Sequence, residues 1–523
     1  MKKTFISAAA VLAFAATAHA DELTDIQSQA KQLREQNAAM TKRLADLEKR
    51  QKALETQKPI LINPVDAMAA DLPYKAAVKA KAPENDDLCI KGICVYGNID
   101  MGVTYQTHGA PLSPLAVGPL DYLVSKNSSG AYFGAGPNQL STSFIGLRGK
   151  QEIADNLYAV FNLQAQFDPA SGQSSSGIGS VAQNNGLATA QQNAFSDSSK
   201  AGQMFNQAAY FGVSSPIYGT LTMGRQSALS SDLVTNYDSL GGSNAYSLLT
   251  YQGGNGGGGD TEDRVYDNSF EYRVNIGPVR LAAEAQLRNG GNSGTGNAFE
   301  GDIGFDYMGF SMDFVGGHIS DAISASPLSS TQVQQATAMG IAMGTGQVAG
   351  TVSDNTVFQV GARYTIGPWK LFGGYEHIDL ANPSNPLANG AVLDGGFILF
   401  NPANGNFPND KILQTAWIGA RYSVTPALDI TGAYYHEWQN SFGNGASAGC
   451  TTVAFSTCSG TIDAVSLVVD WRFARHMDMY AGAMWSQAAN GLANGFLQTT
   501  GTPGNTSNKA NSIDPGIGLR YQF

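Results

Sequence analysis

The chain has 523 residues, of which 61 are glycine, 10% are aromatic and only 14% are charged, and its formal net charge is −11. It is poor in the Lys and Glu that cover soluble surfaces, rich in the Tyr and Phe that suit two membrane interfaces, and without a basic patch for a nucleic acid. A mean hydropathy of −0.15 does not exclude a membrane protein, because strands that alternate lipid-facing and lumen-facing residues average to near neutral.

Lys2 and Lys3, an apolar stretch from Phe5 to Ala16, and Ala18-His19-Ala20 form a secretory signal over residues 1–20, with the mature chain starting at Asp21. Beyond it no apolar run approaches the roughly 20 residues of a spanning helix, which leaves a soluble periplasmic protein or one that crosses a membrane as strands. Leu23, Ile26, Ala30, Leu33, Asn37, Met40, Leu44, Leu47, Gln51 and Leu54 recur at spacings of 3 and 4. This heptad seam predicts a short α-helical coiled coil over residues 21–57, with Asn37 and Gln51 at a positions where they can fix register. Arg43 with Glu48 and Arg50 with Glu55 fall as opposite-charge pairs of a parallel, self-associating coil; a single amphipathic helix on another surface is the alternative. Residues 58–94, with Pro59, Pro64, Pro73 and Pro83, read as an extended linker.

From Val95 the apolar period becomes 2. Seven short turns fall at Ala154-Asp155-Asn156, Ser215 to Tyr218, Ile276-Gly277-Pro278, Met308-Gly309, Ile366-Gly367-Pro368, Thr425-Pro426-Ala427 and Arg475-His476. Eight long polar loops lie between them, near 106–139, 169–206, 227–263, 289–298, 321–353, 380–411, 439–460 and 488–511. Seven turns and eight loops predict an all-β chain of sixteen antiparallel strands over residues 95–523, closed as a transmembrane barrel with both ends on the short-turn side. Leu157, Ala159, Phe161, Leu163 and Ala165 share one face against Asn162, Gln164 and Gln166. Phe358, Val360, Ala362 and Tyr364 likewise oppose Gln359 and Arg363, and Ile418, Ala420 and Tyr422 oppose Arg421. The apolar face should meet lipid and the polar face, with Arg363 and Arg421, should line water. A two-sheet sandwich also alternates, but its loops would rarely be long at one end only. Residues 1–94 hold 14 Lys and Arg against 12 Asp and Glu, so the barrel segment holds 17 against 30 and is net −13.

Cys89 with Cys94 and Cys450 with Cys458 are close pairs, expected as two local disulfides in an exported protein. No His stands near them to complete a metal site. Gly253 to Gly259 lacks the Lys and Ser/Thr of a phosphate-binding loop. His318, His377 and His436 sit in three predicted strands with no visible Ser partner, so no catalytic residue, metal or cofactor is expected.

The ending Ile517-Gly-Leu519-Arg-Tyr521-Gln-Phe523 resembles the C-terminal signal of bacterial outer-membrane barrels. Val95-Tyr-Gly-Asn-Ile-Asp-Met-Gly-Val-Thr-Tyr105 and Phe144-Ile-Gly-Leu-Arg-Gly149 resemble the first two strands of the general porins of Gram-negative bacteria. Tyr210-Phe-Gly-Val, Tyr218 to Gln226, and Val265 to Tyr272 resemble their fourth, fifth and sixth. Asp71-Leu72-Pro73 resembles the start of some mature members, so the coiled coil looks like an added module.

The resemblance implies that the third loop, Ser227 to Asp263, folds into the barrel and constricts it with Asp232, Asp238, Asp260, Glu262 and Asp263, Tyr237 standing where the family has a Pro-Glu-Phe-Gly-Gly-like stretch. These carboxylates would face a basic wall that includes Arg148, Arg225 and, with a one-residue shift, Arg264. Simple alternation instead puts Arg225 outward with Leu221 and Met223, and Phe144 stands where many members carry an Arg. The expected protein is a homotrimer in the outer membrane of a Gram-negative bacterium, embedded in its lipid, its helices periplasmic and Phe523 read by the barrel-assembly machinery. It would be no enzyme but a passive, water-filled channel for small hydrophilic solutes and ions. A substrate-selective channel and a coiled-coil adhesin tethered by a barrel are the alternatives. The net −13, with Asp238 projecting from the loop tip, points to a modest cation preference.

Overall fold

A computed structural model describes residues 31, 88–107, 131–172, 174, 204–249, 265–287, 297–326, 347–384, 392–394, 397–404, 408–443, 458–492 and 509–523. The chain divides into two units, Met1–Met68 and Ala69–Phe523. Of the first, Lys31 alone is described, helical and exposed; the expected signal and the rest of the coiled coil lie outside the described residues. So do most of the linker, Asp260, Glu262, Asp263, Arg264 and Cys450.

The second unit is a closed antiparallel barrel of sixteen strands. They are β1 Ile93–Gln106, β2 in two pieces (Tyr132–Pro137 and Phe144–Ala154), β3 Leu157–Gln166, β4 Ala208–Ser215, β5 Gly219–Ser227, β6 Val265–Ile276, β7 Val279–Gln286 and β8 Ala298–Tyr307. There follow β9 Phe310–Ser326, β10 Gln347–Ile366, β11 Trp369–Ala381, β12 Lys411–Thr425, β13 Leu428–Gln439, β14 Gly460–Ala474, β15 Met477–Asn490 and β16 Lys509–Gln522. β1 closes on β16 from Asn98 opposite Gln522 to Thr104 opposite Gly516, which leaves the wall without an edge. All seven predicted turns are present. Met308 and Gly309 both have positive φ (48° and 84°), the backbone that matches a two-residue hairpin to the twist of its strands.

Alternation holds around the wall. Ile418 is 64% exposed toward lipid, while Gln359 and Asn162 are buried on the inner face. The inner face is not uniformly wetted, however. Val315, Val357, Ile378, Leu413, Trp417 and Tyr435 also point inward and are buried, because the third loop packs on them.

Three local departures place the site. The second strand starts earlier than expected, at Tyr132, and is interrupted by Asn138 to Ser143, a tongue that leaves the wall while both pieces stay paired with β1. Between β5 and β6 the register shifts from Gly224 opposite Ser269 to Gln226 opposite Tyr266, a bulge whose extra residue is on β6, where Asn268 has φ of 50°. Gly224 has φ of 130°, and a Cβ there would run into the Ala209 carbonyl oxygen. Ordered chain also begins before Val95: Leu88–Ile90 forms a hairpin with the start of β1, clamped by the Cys89–Cys94 disulfide. That hairpin pairs with the part of β1 that extends past the end of β16, whose Phe523 exchanges backbone hydrogen bonds with Gly97 (2.8 and 3.1 Å). Cys458 is disulfide-bonded as well.

Candidate functional site

The third loop opens with helix α1, Leu229–Tyr237. Leu229, Leu233, Val234 and Tyr237 recur at helical spacing and supply one apolar face, buried against the inner wall with Val315, Val357 and Trp417. Ala228 cannot cap the helix. Glu300 on β8 takes over that task, accepting hydrogen bonds from the Ser230 amide (2.9 Å) and hydroxyl (2.8 Å); a carboxylate is favourable at a helix N-terminus. At the other end the Asp238 amide donates to the Val234 carbonyl oxygen (2.9 Å).

Beyond α1 the loop continues along the wall. Ser239 donates to the Gly432 carbonyl oxygen (3.3 Å), and Trp417 donates through its ring N–H to the Tyr237 carbonyl oxygen (3.0 Å). Its far part meets the tongue: Asn244 donates to the Asn138 carbonyl oxygen (2.7 Å), and Ser243 and the Ala245 amide donate to that of Gln139 (2.9 Å each). The tongue is itself pinned by Asp100, which accepts from the Leu140 and Ser141 amides (2.9 and 2.7 Å) and from Tyr480. Tyr246 donates to Gln139 (3.1 Å), and its carbonyl oxygen accepts from Ser466 (2.6 Å). The described part of the third loop is thus a belt along the inner wall, held at α1 and at the interrupted strand.

The expected site residues fall in three groups. Arg225 is buried, donating to Asp267 and, through Nε, to the Asn206 carbonyl oxygen (2.9 Å). Asp232 is ion-paired with Arg273, and the Tyr237 hydroxyl donates to Asp313 (2.7 Å). Asp238, expected to project from the loop tip, is instead 2% exposed. It accepts from Tyr435 (2.7 Å) and from the Gly242 amide (2.9 Å), because Gly241 and Gly242, at φ of 64° and 66°, turn the chain back over the helix end. Burial pushes its carboxyl above the usual range, against the pull of those hydrogen bonds. The loop acids of the described residues are therefore neutralised or buried, and none stands free in the lumen.

Arg148 lies on the inner wall with its guanidinium over the Tyr96 ring at 4.8 Å, and Phe144 meets the same ring edge-on at 5.5 Å. Arg363 and Arg421 both face inward under the C-terminal end of α1, donating to the carbonyl oxygens of Asn236 (3.4 Å) and Ser239 (2.6 Å).

The wall also carries charges that the sequence reading left unnamed. Glu271, Glu284 and Glu300 stand directly opposite one another across β6, β7 and β8. Arg273 bonds Glu271, and Arg280 bonds Asp313 (2.6 Å). Lys370 lies directly opposite Arg421. Carboxylates gather on β6 to β9, where Arg273 and Arg280 also stand, and Arg363, Lys370 and Arg421 lie on β10 to β12, so wall side chains of both signs line the lumen. Strand alternation could have found them: in Val279 to Gln286 every second residue, Arg280, Ala282, Glu284 and Gln286, shares the inner face.

A closed barrel with an apolar exterior, a charged interior and a long loop folded into its lumen defines an outer-membrane channel through which solutes diffuse. The chain belongs to the Gram-negative porins, whose family model matches residues 7–491. Its fold is similar to that of an anion-selective porin from Comamonas acidovorans, at 14% identity over 82% of this chain and 99% of that one, with a TM-score of 0.52. It is also similar to OmpT of Vibrio cholerae (14% identity, 84% and 100% covered, TM-score 0.48) and to the outer membrane channel DcaP of Acinetobacter baumannii (13%, 83% and 99%, 0.43). At these identities the likeness is one of fold. No curated protein sequence matches the chain.

Proposed function

We propose that the channel is passive and aqueous, admits small hydrophilic solutes and ions, and favours cations modestly. The observation that carries this reading is the inner wall, where charged side chains of both signs surround a belt that narrows the lumen without a described apolar plug of its own making. The barrel segment's net −13 sets the sign of the preference. Its size is limited by a high local dielectric and a Debye length of about 8 to 10 Å near physiological salt. Family membership supports a homotrimer, with the 21–57 helices on the periplasmic side and Phe523 as the feature read by the assembly machinery.

Planar-bilayer recordings across a salt gradient test the reading. The expected result is open-channel conductance with a reversal potential on the cation side that shrinks as salt rises; a non-conducting protein overturns the channel, and clear anion selectivity overturns the preference. Within the same recordings Arg225→Gln should raise cation preference, since it leaves Asp267 unpaired.

A further inference from the structure

We propose that the hairpin ahead of the barrel, Leu88 to Ile93, is a foot that docks on the phospholipid leaflet at the short-turn side and takes an anionic headgroup at Lys91. Residues directly opposite one another in an antiparallel pair share a face. Leu88 lies opposite Val95 and Ile90 opposite Ile93. Ile93 and Val95 begin the row of β1 that continues, at every second residue, through the lipid-facing Ile99 and Val103. Leu88 is 66% exposed, Ile90 69% and Ile93 48%. On the other side of β1 the exposed Leu147 stands opposite Val95. Further along the row the Phe523 ring covers Gly97, where a Cβ would run into it. The outer face of the hairpin is therefore continuous with the surface by which the barrel meets lipid. A ladder of three residue pairs is marginal by itself, and the Cys89–Cys94 disulfide clamps it.

The depth of the hairpin is interfacial. β2 runs on from Gly149, the partner of Ile93, to Ala154, and Ile153 near its end is still exposed, so the hairpin stops short of the rim of the wall. The far edge of Leu88–Ile90 pairs with no other described strand, and an open backbone edge is tolerated where water reaches it but not in hydrocarbon. This sets the apolar face at the boundary of acyl chain and headgroup, with the turn among the headgroups. Lys91 and Gly92 make that turn, both with positive φ (53° and 81°). Such turns favour Asn, Asp or Gly at the first position; this chain holds a cation there instead. Lys91 is exposed, and no described carboxylate engages it. An ammonium on a long apolar stem, held beside a membrane surface, attracts anionic lipid. A strand of another protein suits the same edge poorly, because a strand of only three residues flanked by Lys is the kind that discourages edge pairing.

The test uses the full-length protein with the photoreactive residue benzoylphenylalanine in place of Ile90, reconstituted in vesicles of equal phosphatidylglycerol and phosphatidylethanolamine. Mass spectrometry after illumination identifies what is joined to the chain, whether or not the channel conducts. The expected product is a lipid adduct that favours phosphatidylglycerol about fivefold, a preference that Lys91→Gln abolishes. The same probe in place of Phe299, on the lipid face of β8, should capture both lipids equally. The double variant Cys89→Ser, Cys94→Ser, which frees the hairpin, should lower the yield of adduct at Ile90. Heat-modifiable gel migration verifies that each variant is folded, and the probe in place of Leu88 gives a second site should the Ile90 variant fail to fold. Joining to a second copy of the chain, no lipid adduct from a folded variant, or a headgroup preference that survives Lys91→Gln would overturn the proposal.

Discussion

At the end of α1 the Asp238 carboxylate accepts from Tyr435 and from the Gly242 amide, and this geometry separates two substitutions that a pore-facing acid would not. Asn can reproduce both contacts, its oxygen accepting from Gly242 and its amide donating to the Tyr435 oxygen, so Asp238→Asn should leave ion selectivity unchanged in reversal-potential measurements. Asp238→Ala strands two buried donors at about 1 to 3 kcal/mol each, and single-channel records should show larger, noisier currents. Glu284 makes the opposite case. It is 3% exposed, neither carboxylate oxygen has a hydrogen-bond partner, and it stands between Glu271, bonded to Arg273, and Glu300, bonded to Ser230 and Tyr266. The neighbouring Ser269 hydroxyl is already committed to the Gly224 carbonyl oxygen (3.0 Å). Removing one of three facing like charges should help, so Glu284→Gln is expected to raise stability by about 0.5 to 1 kcal/mol, read as a higher urea midpoint in detergent. A lower midpoint would mean that the ionised Glu284 is stabilising.

The constriction belt depends on elements that are far apart in the chain. Tyr246 is fully buried, bonded to Gln139 of the tongue and to Ser466 of β14, and edge-on to Tyr480 at 6.4 Å. Tyr246→Ala should cost about 3 to 5 kcal/mol locally and free the far part of the loop while α1 stays docked. The expected readout is increased single-channel conductance with unchanged heat-modifiable migration; conductance equal to the unmodified protein would show that this contact does not set the width. The tongue and the bulge between β5 and β6 both break a regular count. A period-2 pattern says which face a residue takes only while the count is unbroken, and the extra residue of β6 breaks it between Tyr266 and Ser269, three positions apart and both buried.

For the molecule as a whole, the barrel segment contains every wall strand and closes on itself through β1 and β16. Deleting residues 21–57 is therefore expected to leave bilayer conductance intact in refolded protein, and its loss would make the N-terminal helix part of the pore. The strand count, the turns and the lipid-facing residues were legible in the sequence, because alternation and turn chemistry are local and a membrane imposes them on every strand. The inward acids and bases of β6 to β12 were legible in the same way, by counting from the turns. What faces water inside the lumen was decided only by tertiary structure. Val315, Val357 and Trp417 are lumen-side residues that never meet the lumen, and Asp232 and Asp238 are loop acids that contribute no free charge to it. Each is set by where the third loop docks against strands up to 220 residues away, and contacts at that separation leave no periodic trace in the sequence.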